Sequence, residues 1–517
     1  MKEVDLAPVQ QLKNESSDGL PIGWVWTTLG EIGTYLNGRA FKSSEWSTKG
    51  RPIIRIQDLT KSRENPNYYE GMIEDRYIVR PGDLLISWSA TLGAYIWRGA
   101  EGVLNQHIFK VHSAINPSCH LYLVQHFLHE LQRQTHGSGM VHVTKGDFTS
   151  TPVPIPPLAE QKRIVEKIEQ LLASVNEARE RLERVTGILA RFRRAVLAAA
   201  CSGDLTTDWR EQHTEVESAR TLLRKIEQLR SNSSEKTRPR RVPISDDEQG
   251  DTPVRDLPES WLWCQVDQIA TACLGGTPPR KMQTYWNGDI AWVSSGEVAN
   301  CRITRTKERI TREGLTNSNA KLYPKGTVLI AMIGEGKTRG QSAILDTEAC
   351  TNQNVAGMVF DAGNINPEYV WYWARAEYER NRAVGRGGAQ PALNGEKVRG
   401  LTLPLPPLEE QGEIVRCVEA LFSLADAIET RIAVAATRTE ELTQAILAKA
   451  FRGELVPTEA ELARTEGRAY ESASDLLARI QSGRTVLIER EGVRRKNGKR
   501  QSRTLARAHS MPGQSVL

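Results

Sequence analysis

The amino-acid sequence predicts an α+β protein in which two duplicated globular domains are separated by two long antiparallel coiled-coil helices. Three observations support this fold class. The same motifs occur twice in the same order, each copy contains short β-rich runs broken by Gly and Pro, and each copy continues into a long heptad pattern. A repeat of about 250 residues is too long for a solenoid, so it indicates a duplicated module.

The duplication is clearest in two motifs at the ends of each globular part. Leu-Pro-x-x-Trp-x-Trp occupies residues 20–26 and again 257–263. Pro-[Ile/Leu]-Pro-Pro-Leu-x-Glu-Gln occupies residues 154–161 and again 404–411. Between them, the dipeptide Asn-Gln at 105–106 recurs at 352–353. The tryptophan pairs hold the same place in both copies, so we interpret them as core anchors rather than base-stacking platforms.

A heptad pattern follows each Pro-Pro-Leu-x-Glu-Gln motif. Apolar residues recur at alternating steps of four and three, and Gly203 and Gly453 lie where left-handed caps would end the helices. A lone amphipathic helix cannot bury its apolar stripe, so we expect the two helices to pair within the chain. The open alternative is that each packs on its own domain or on another chain. The predicted core of the pair comprises Ile164, Ile168, Leu171, Val175, Leu182, Leu189, Ile414, Val418, Leu421, Ile428, Ile432, Leu442 and Ile446.

These patterns divide the chain into seven segments. They are an N-terminal segment at 1–19, a globular domain at 20–158, a long helix at 159–204, a linker with a short helix at 205–256, a second globular domain at 257–408, a second long helix at 409–455, and a C-terminal helix with a basic tail at 456–517.

Composition excludes several classes of protein. Of 517 residues, 39% are hydrophobic and 25% are charged, as in ordinary globular proteins. No run of about 18 apolar residues could span a membrane, and the acidic start is unlike a signal peptide, so we expect a cytoplasmic location. Seven separated cysteines without a C-x-x-C pair argue against a disulfide framework or a zinc ribbon. The net charge of +5 is compatible with nucleic-acid binding without establishing it.

Two local patterns permit other chemistry. Residues 331–338 imitate a phosphate-binding loop that would use Lys337, but Ala331 replaces the leading glycine and the following residues begin a helix poorly. Seven of the nine histidines lie between His107 and His142. The matching positions of the second copy hold no comparable ligands, so we predict no metal site.

Duplicated globular parts that each lead through Pro-Pro-Leu-x-Glu-Gln into a long helix resemble the specificity subunit of type I restriction–modification enzymes, over residues 20–455. The resemblance implies two target recognition domains, each reading one half of a two-part DNA sequence. It also implies that the helices set the spacing and dock methyltransferase subunits, expected to number two, and that motor-endonuclease subunits join the complex. The chain would then be no enzyme on its own and bind no cofactor. S-adenosylmethionine, ATP and Mg²⁺ would bind to partner subunits.

If double-stranded DNA is the partner, reading its bases requires hydrogen-bond donors and acceptors on stiff loops, with cations nearby for the phosphates. The loops differ more between the copies than the shared motifs do, so we expect an asymmetric target. In the first domain the candidate contacts are Arg39, Lys42, Arg55, Gln57, Ser87, Ser89 and Lys145. In the second they are Arg280, Lys281, Ser294, Ser295, Lys337, Arg339, Gln341, Arg386 and Gln390.

Two alternative functions remain at this point. A coiled-coil adaptor that binds only proteins would show no sequence-selective affinity for DNA. An NTPase using Lys337 would bind ATP as an isolated chain.

Overall fold

A computed structural model confirms the predicted fold class and describes residues 19–62, 65–89, 91–134, 145–232, 256–334, 336–361, 363–384 and 393–484. The basic tail, residues 233–255 of the linker and nearly all of the N-terminal segment lie outside these residues. The chain forms two compact units, Met1–Leu182 with Val434–Leu517, and Glu183–Ala433. Each unit therefore combines one globular domain with part of both long helices.

The first domain contains three small sheets. Its strands are β1 (Val25–Thr28), β2 (Gly33–Asn37), β3 (Arg51–Ile54), β4 (Tyr68–Tyr69), β5 (Ile78–Val79), β6 (Leu84–Ser87), β7 (Gly93–Ile96), β8 (Gly102–Leu104), β9 (Ile108–Ser113) and β10 (Pro152–Ile155). They pair in the orders β1-β10, β2-β9-β6-β7 and β4-β3-β8-β5. The helices are Leu29–Ile32, Ile56–Leu59, Pro117–Gln134 and Lys145–Ser150, with 3₁₀ turns at Ser43–Glu45 and Asp75–Tyr77.

The second domain repeats this frame. Its strands are β11 (Leu262–Gln265), β12 (Ala270–Leu274), β13 (Trp286–Val293), β14 (Cys301–Ile303), β15 (Glu308–Ile310), β16 (Val328–Ala331), β17 (Ser342–Leu345), β18 (Ala349–Thr351), β19 (Val355–Phe360) and β20 (Thr402–Leu405). They pair in the orders β11-β20, β12-β19-β16-β17-β14 and β15-β13-β18. The helices are Val266–Ile269, Arg312–Thr316, Pro367–Ala376, Tyr378–Val384 and Gly395–Arg399, with 3₁₀ turns at Gln283–Tyr285 and Ser295–Glu297.

The two repeated motifs of each domain meet as a pair of antiparallel strands. In the first domain β1 pairs with β10 so that Trp26 lies opposite Pro154. In the second domain β11 pairs with β20 and Trp263 lies opposite Pro404. Residues far apart in sequence therefore close each domain at the point where its long helix begins.

A buried carboxylate fixes the start of the first long helix. Glu160 is fully buried; its Oε1 accepts a hydrogen bond from Trp24 Nε1 (2.9 Å) and its Oε2 one from the backbone N–H of Glu459 (2.8 Å). The next residue, Gln161, donates to the carbonyl of Pro156 (2.9 Å). The motif thus joins the entry strand of the domain, the helix and the segment after the second long helix.

The second unit repeats this junction with different partners. Glu410 is fully buried and accepts from Trp261 Nε1 (2.8 Å), Thr206 Oγ1 (2.7 Å) and Arg210 Nε (3.0 Å). The glutamine after it again donates to a proline carbonyl of the motif (3.0 Å). A buried carboxylate needs several donors to offset its desolvation, and both junctions supply them.

The long helices span Leu158–Ser202 and Leu408–Phe451, slightly shorter than the predicted 159–204 and 409–455. They end at Gly203 (φ 86°) and Gly453 (φ 75°) in the left-handed conformation that favours glycine. A Cβ would also lie 2.5 Å from Pro258 at Gly203 and 2.3 Å from Pro21 at Gly453. Backbone conformation and close packing therefore both require glycine at these caps.

The helix segments within each unit run antiparallel. As residue numbers rise along one helix, they fall along its partner. Arg179–Glu440 (2.7 Å) in the first unit and Arg193–Asp426 (2.6 Å) in the second join the two long helices. The same trend continues just beyond the helix ends, where Arg163 pairs with Glu459 (2.6 Å) and Arg210 pairs with Glu410 (3.0 Å).

Burial varies along the predicted apolar seam. The buried members are Ile164, Ile168, Val175, Leu189, Ile414, Val418 and Ile446. The half-buried members are Leu171, Leu182, Leu421, Ile428 and Ile432. The most deeply buried seam residues belong to the hydrophobic cores that the helices share with the domains. The seam is therefore most buried where a helix segment packs on its domain.

Leu442 departs from the prediction, because its side chain is 51% exposed. The covered face passes instead through Thr439 and Thr443, both half-buried, to the buried Ile446. Leu442 lies about 100° around the helix from Thr443 and about 140° from the buried Leu447, so it stands at the edge of the covered face. The heptad pattern therefore misplaced the seam at this position.

Shorter helices follow each long helix. They are Thr207–Gln212 and Ala219–Asn232 in the second unit, and Glu459–Glu466 and residues 473–484 in the first. In the part of the chain that the structure describes, none of the helices has the length and apolar character needed to cross a membrane.

The difference between Ile168 and Leu442, which belong to the same unit, can be measured. Ile168→Ala should lower the free energy of unfolding by about 2–5 kcal/mol, because it leaves a cavity in a closed core. Leu442→Ala should change it by less than about 0.5 kcal/mol, as at other exposed positions. Urea unfolding of the full-length variants checks this, and equal effects of the two substitutions would contradict the assigned seam.

Candidate nucleic-acid interface

Arg39 follows β2 and is held among aromatic rings and a carboxylate. Its Nη1 donates to Tyr69 Oη (2.9 Å), its Nη2 pairs with Glu45, and its Cζ lies 5.0 Å from the centre of the Phe41 ring. A hydrogen bond from the Lys42 backbone, together with Arg39, holds the pKa of Glu45 below its usual value. Arg39 is thus a positioned cation on a partly exposed surface.

A second stacked cation follows β3. The guanidinium carbon of Arg55 lies 4.6 Å from the centre of the Trp46 ring, and the backbone N–H of Arg55 donates to Asp58 (2.8 Å). Gln57 is exposed in this short turn, and Lys42 is exposed at the start of the Ser43–Glu45 turn. Gln57 and Lys42 therefore have the exposure that a DNA contact requires, while Arg55 is half-buried.

The serine candidates of the first domain do not share this exposure. Ser87 is fully buried and donates to the carbonyl of Thr91 (2.5 Å), because β6 is an interior strand of its sheet. Its hydroxyl therefore stabilises the fold and does not lie on the contact surface. Ser89 is half-buried, and Lys145 is exposed at the first position of its helix.

Arg280 has the corresponding role in the second domain. Its Cζ lies 3.9 Å from the centre of the Trp286 ring and 5.1 Å from that of Trp292, and both of its Nη atoms pair with Glu308. The hydrogen bond from Arg280 lowers the pKa of Glu308. The arginine side chain remains 55% exposed, and Lys281 beside it is exposed as well.

A polar cleft of about 470 Å³ adjoins Arg280. Its lining consists mainly of hydroxyl and amide side chains with a glycine backbone: Gly275, Gly276, Thr277, Pro279, Asn317, Ser318, Asn319 and Gln353. A Cβ at Gly276 would lie 2.3 Å from the carbonyl carbon of Asn319, so glycine is needed for this close approach. Hydroxyls and amides both donate and accept hydrogen bonds, which suits them to base edges.

The Asn317–Asn319 segment and Gln353 line this cleft but were not among the candidates predicted from the sequence. Asn317–Asn319 is brought to the cleft only by folding, since it follows the helix Arg312–Thr316. Gln353 carried a visible signal, because its dipeptide recurs in the first copy. The stacking partners Trp46, Tyr69 and Trp286 were missed as well.

Ser294 and Ser295 mainly shape the backbone after β13. The N–H and Oγ of Ser294 donate to Glu297 (2.9 and 2.8 Å), as the N–H of Arg55 does to Asp58 in the first domain. Ser295 begins the 3₁₀ turn, and both serines are half-buried. The Ser294 hydroxyl is therefore already engaged in capping.

The segment that imitates a phosphate-binding loop connects two strands. It leaves β16 at Ala331 and enters β17 at Ser342, and these strands are antiparallel neighbours. Lys337 is exposed, but a β-hairpin supplies no helix N-terminus to bind a phosphate. The geometry of the described residues 336–345 therefore argues against the NTPase alternative.

The other candidates around this hairpin differ in accessibility. Arg339 is only 6% exposed, so it belongs to the interior of the domain and not to its contact surface. Gln341 is half-buried, and its carbonyl accepts a hydrogen bond from Ala331 N–H (2.9 Å). Arg386 and Gln390 lie outside the described residues.

The histidine-rich region contains a core residue. His120 is fully buried, with Nε2 2.8 Å from Tyr35 Oη and Nδ1 2.9 Å from Ser113 Oγ. Burial lowers its pKa to about 4. Across the described ranges, no three His, Cys, Asp or Glu residues are grouped so as to hold a metal ion.

Comparison with known proteins identifies the family. The family described as Type I restriction modification DNA specificity domain matches residues 21–185 and 258–437. The chain belongs to this family. This confirms the prediction from the duplicated motifs that it is a DNA-recognition subunit with two target domains and no enzyme on its own.

Individual relatives agree with this membership. The specificity subunit of the type I restriction enzyme EcoBI from Escherichia coli is 30% identical, over 84% of this chain and 86% of its own length. That of StySPI from Salmonella potsdam is 26% identical over 92% and 99%. A solved chain from work on assembly and conformational transition of the type I R-M system shares the fold, with TM-score 0.58 at 18% identity over 84% and 99%.

The buried state of His120 predicts a pH dependence of stability. Between its folded pKa of about 4 and the ordinary 6.5, the unfolded chain binds a proton that the folded chain does not. The contribution of neutral His120 to the free energy of unfolding is therefore fully present above pH 6.5 and is lost as the pH falls towards 4. Between pH 7 and pH 5 the loss should be about 2 kcal/mol. Unfolding at both pH values should show this loss reduced in His120→Gln but kept in His112→Gln, an exposed control. Equal pH dependence of His120→Gln and the natural chain would contradict it.

Proposed function

We propose that each globular domain of this chain recognises one half of a two-part, asymmetric DNA sequence within a type I restriction–modification complex. One observation carries the proposal: the two domains share a strand frame but present different side chains from it. At one equivalent position the first domain has Arg39, whose N–H donates to Leu104, and the second has Gly276, whose N–H donates to Thr351. A common frame with unlike surfaces suits two readers of unlike half-sites.

Both surfaces support contact with DNA. Each presents an arginine stacked on aromatic rings and held by a glutamate, with an exposed lysine close by in sequence. Such a cation loses little conformational freedom on binding, and arginine can make bidentate contacts to guanine or to phosphate. The amide-rich cleft of the second domain adds donors and acceptors for base edges.

The long helices would set the interval between the two readers. A continuous helix of 45 residues extends about 68 Å at 1.5 Å per residue. Its antiparallel partner and the ion pairs along it stiffen it, which a flexible linker could not do. Half-sites read on one face of DNA need a fixed distance and rotational phase.

Methyltransferase and restriction subunits are the proposed protein partners, with two methyltransferase subunits per chain. Exposed apolar side chains on the long helices support a docking role: Ile188 (51% exposed) and Leu424 (56%) in the second unit, and Val434 (48%) in the first. We propose that S-adenosylmethionine, ATP and Mg²⁺ bind to those partners. The second candidate function, a coiled-coil adaptor, would use the same helices, but it would not account for the stacked arginines.

Exchange of a domain tests the proposal. Residues 20–158 are replaced by the matching domain of a relative, and modified adenines are mapped in cells that also express the methyltransferase partner. One half of the modified sequence should change, while the half assigned to residues 257–408 should persist. Modification without a two-part sequence, or a change in both halves, would refute it.

A change of helix length tests the spacing role. Seven residues, one heptad, are removed from each long helix, which keeps the seam in register and shortens the rod by about 10.5 Å. The gap between half-sites should shorten by about three base pairs at 3.4 Å each. Same-length substitutions of exposed residues in these segments serve as the control. An unchanged gap in the shortened variant would defeat the measuring role.

A further inference from the structure

The repeated Asn-Gln dipeptide forms a turn that presents a glutamine in the first domain. Asn105 is buried; its N–H donates to the carbonyl of Ile54 at the end of β3 (3.2 Å), and its carbonyl accepts from Ile108 at the start of β9 (3.2 Å). Gln106 follows directly and is exposed. The asparagine therefore builds the turn between β8 and β9, and the glutamine side chain faces solvent.

The second domain has the same turn. The N–H of Asn352 donates to the carbonyl of Val293 at the end of β13 (3.0 Å), and its carbonyl accepts from Val355 at the start of β19 (3.2 Å). Gln353 is exposed. The two glutamines therefore occupy equivalent positions on the shared frame.

Each glutamine is oriented by a neighbouring side chain and lies beside a candidate DNA contact. Nε2 of Gln106 is hydrogen-bonded to Nε2 of His107 (3.2 Å). The backbone of Asn105, the residue before it, forms an isolated parallel β-bridge with Arg39. Gln353 Oε1 accepts a hydrogen bond from Thr277 Oγ1, and both residues line the polar cleft. These settings differ although the turn is the same.

We propose that Gln106 and Gln353 each read an adenine at the equivalent place of the two half-sites, an inference that rests on the proposed function. The amide of glutamine donates to adenine N7 and accepts from adenine N6, a bidentate match. Thr277 occupies one of the two lone pairs of the Gln353 carbonyl oxygen, which leaves the other for the base. Thr277 is thus a positioning residue. Arg39 in one domain and the cleft in the other then read neighbouring, different bases.

The experiment uses the full chain with its methyltransferase partner in cells, and maps modified adenines for four single variants. Gln353→Ala should reduce selectivity at one base pair of one half-site by about tenfold or more, and Gln106→Ala should do so at the equivalent base pair of the other. Gln353→Glu should shift the preference at that position towards cytosine, whose N4 donates to a carboxylate. Gln228→Ala, an exposed glutamine on the helix Ala219–Asn232, should leave both half-sites unchanged.

The possible results distinguish failure of the glutamine inference from failure of the proposed function. If the natural chain directs modification of a two-part sequence, and Gln353→Ala and Gln106→Ala keep that sequence unaltered, the glutamine inference fails while the proposed function stands. If the natural chain directs no two-part modification, the proposed function itself fails. Where a variant abolishes modification, competition binding of its purified complex to duplexes that vary each base pair gives the readout. Selectivity lost at non-equivalent positions, or at none, overturns the inference.

Discussion

The buried carboxylate at the start of each long helix is the constraint on which both units depend. Glu160 and Glu410 each accept a hydrogen bond from the tryptophan just before the domain's first strand and at least one more from residues that follow the other long helix. Burial raises the pKa of Glu160, against the effect of these donors. Removal of any partner would leave a buried carboxylate short of donors, which is costly. Domain, helix and returning chain are therefore held together at one point in each unit.

The segment after each long helix completes a unit with residues remote in sequence. In the first unit the N–H of Ala473 donates to Gly23 (2.9 Å), and Arg484 donates to the carbonyl of Gly30 (2.9 Å). In the second unit the N–H of Ala219 donates to Ser260 (3.0 Å), and arginine at 230 donates to the carbonyls of residues 267 and 270. The first domain is therefore complete only when residues near 480 have folded onto it.

In each domain, the strands that form a shared framework are distinct from the loop residues that the domain displays on its surface. Strand order, capped turns and the buried junctions recur in both domains and fix the loops in space. The residues displayed there differ, with a stacked arginine at 39 where the other domain has a glycine and an amide-rich cleft. The shared frame fixes the positions of the loops, and the unlike residues displayed there suit the proposed reading of two unlike half-sites.

The sequence by itself determined the duplication, the two long helices, their glycine caps and the junction motifs, because these depend on local pattern and backbone conformation. It also placed Arg39 and Arg280 among the candidates. Only the tertiary structure decided which face of a helix or strand is covered. It exposed Leu442, buried Ser87 and Arg339, and brought Asn317–Asn319 to Gln353. Burial depends on contacts between residues far apart in the chain, and periodicity within one segment does not contain them.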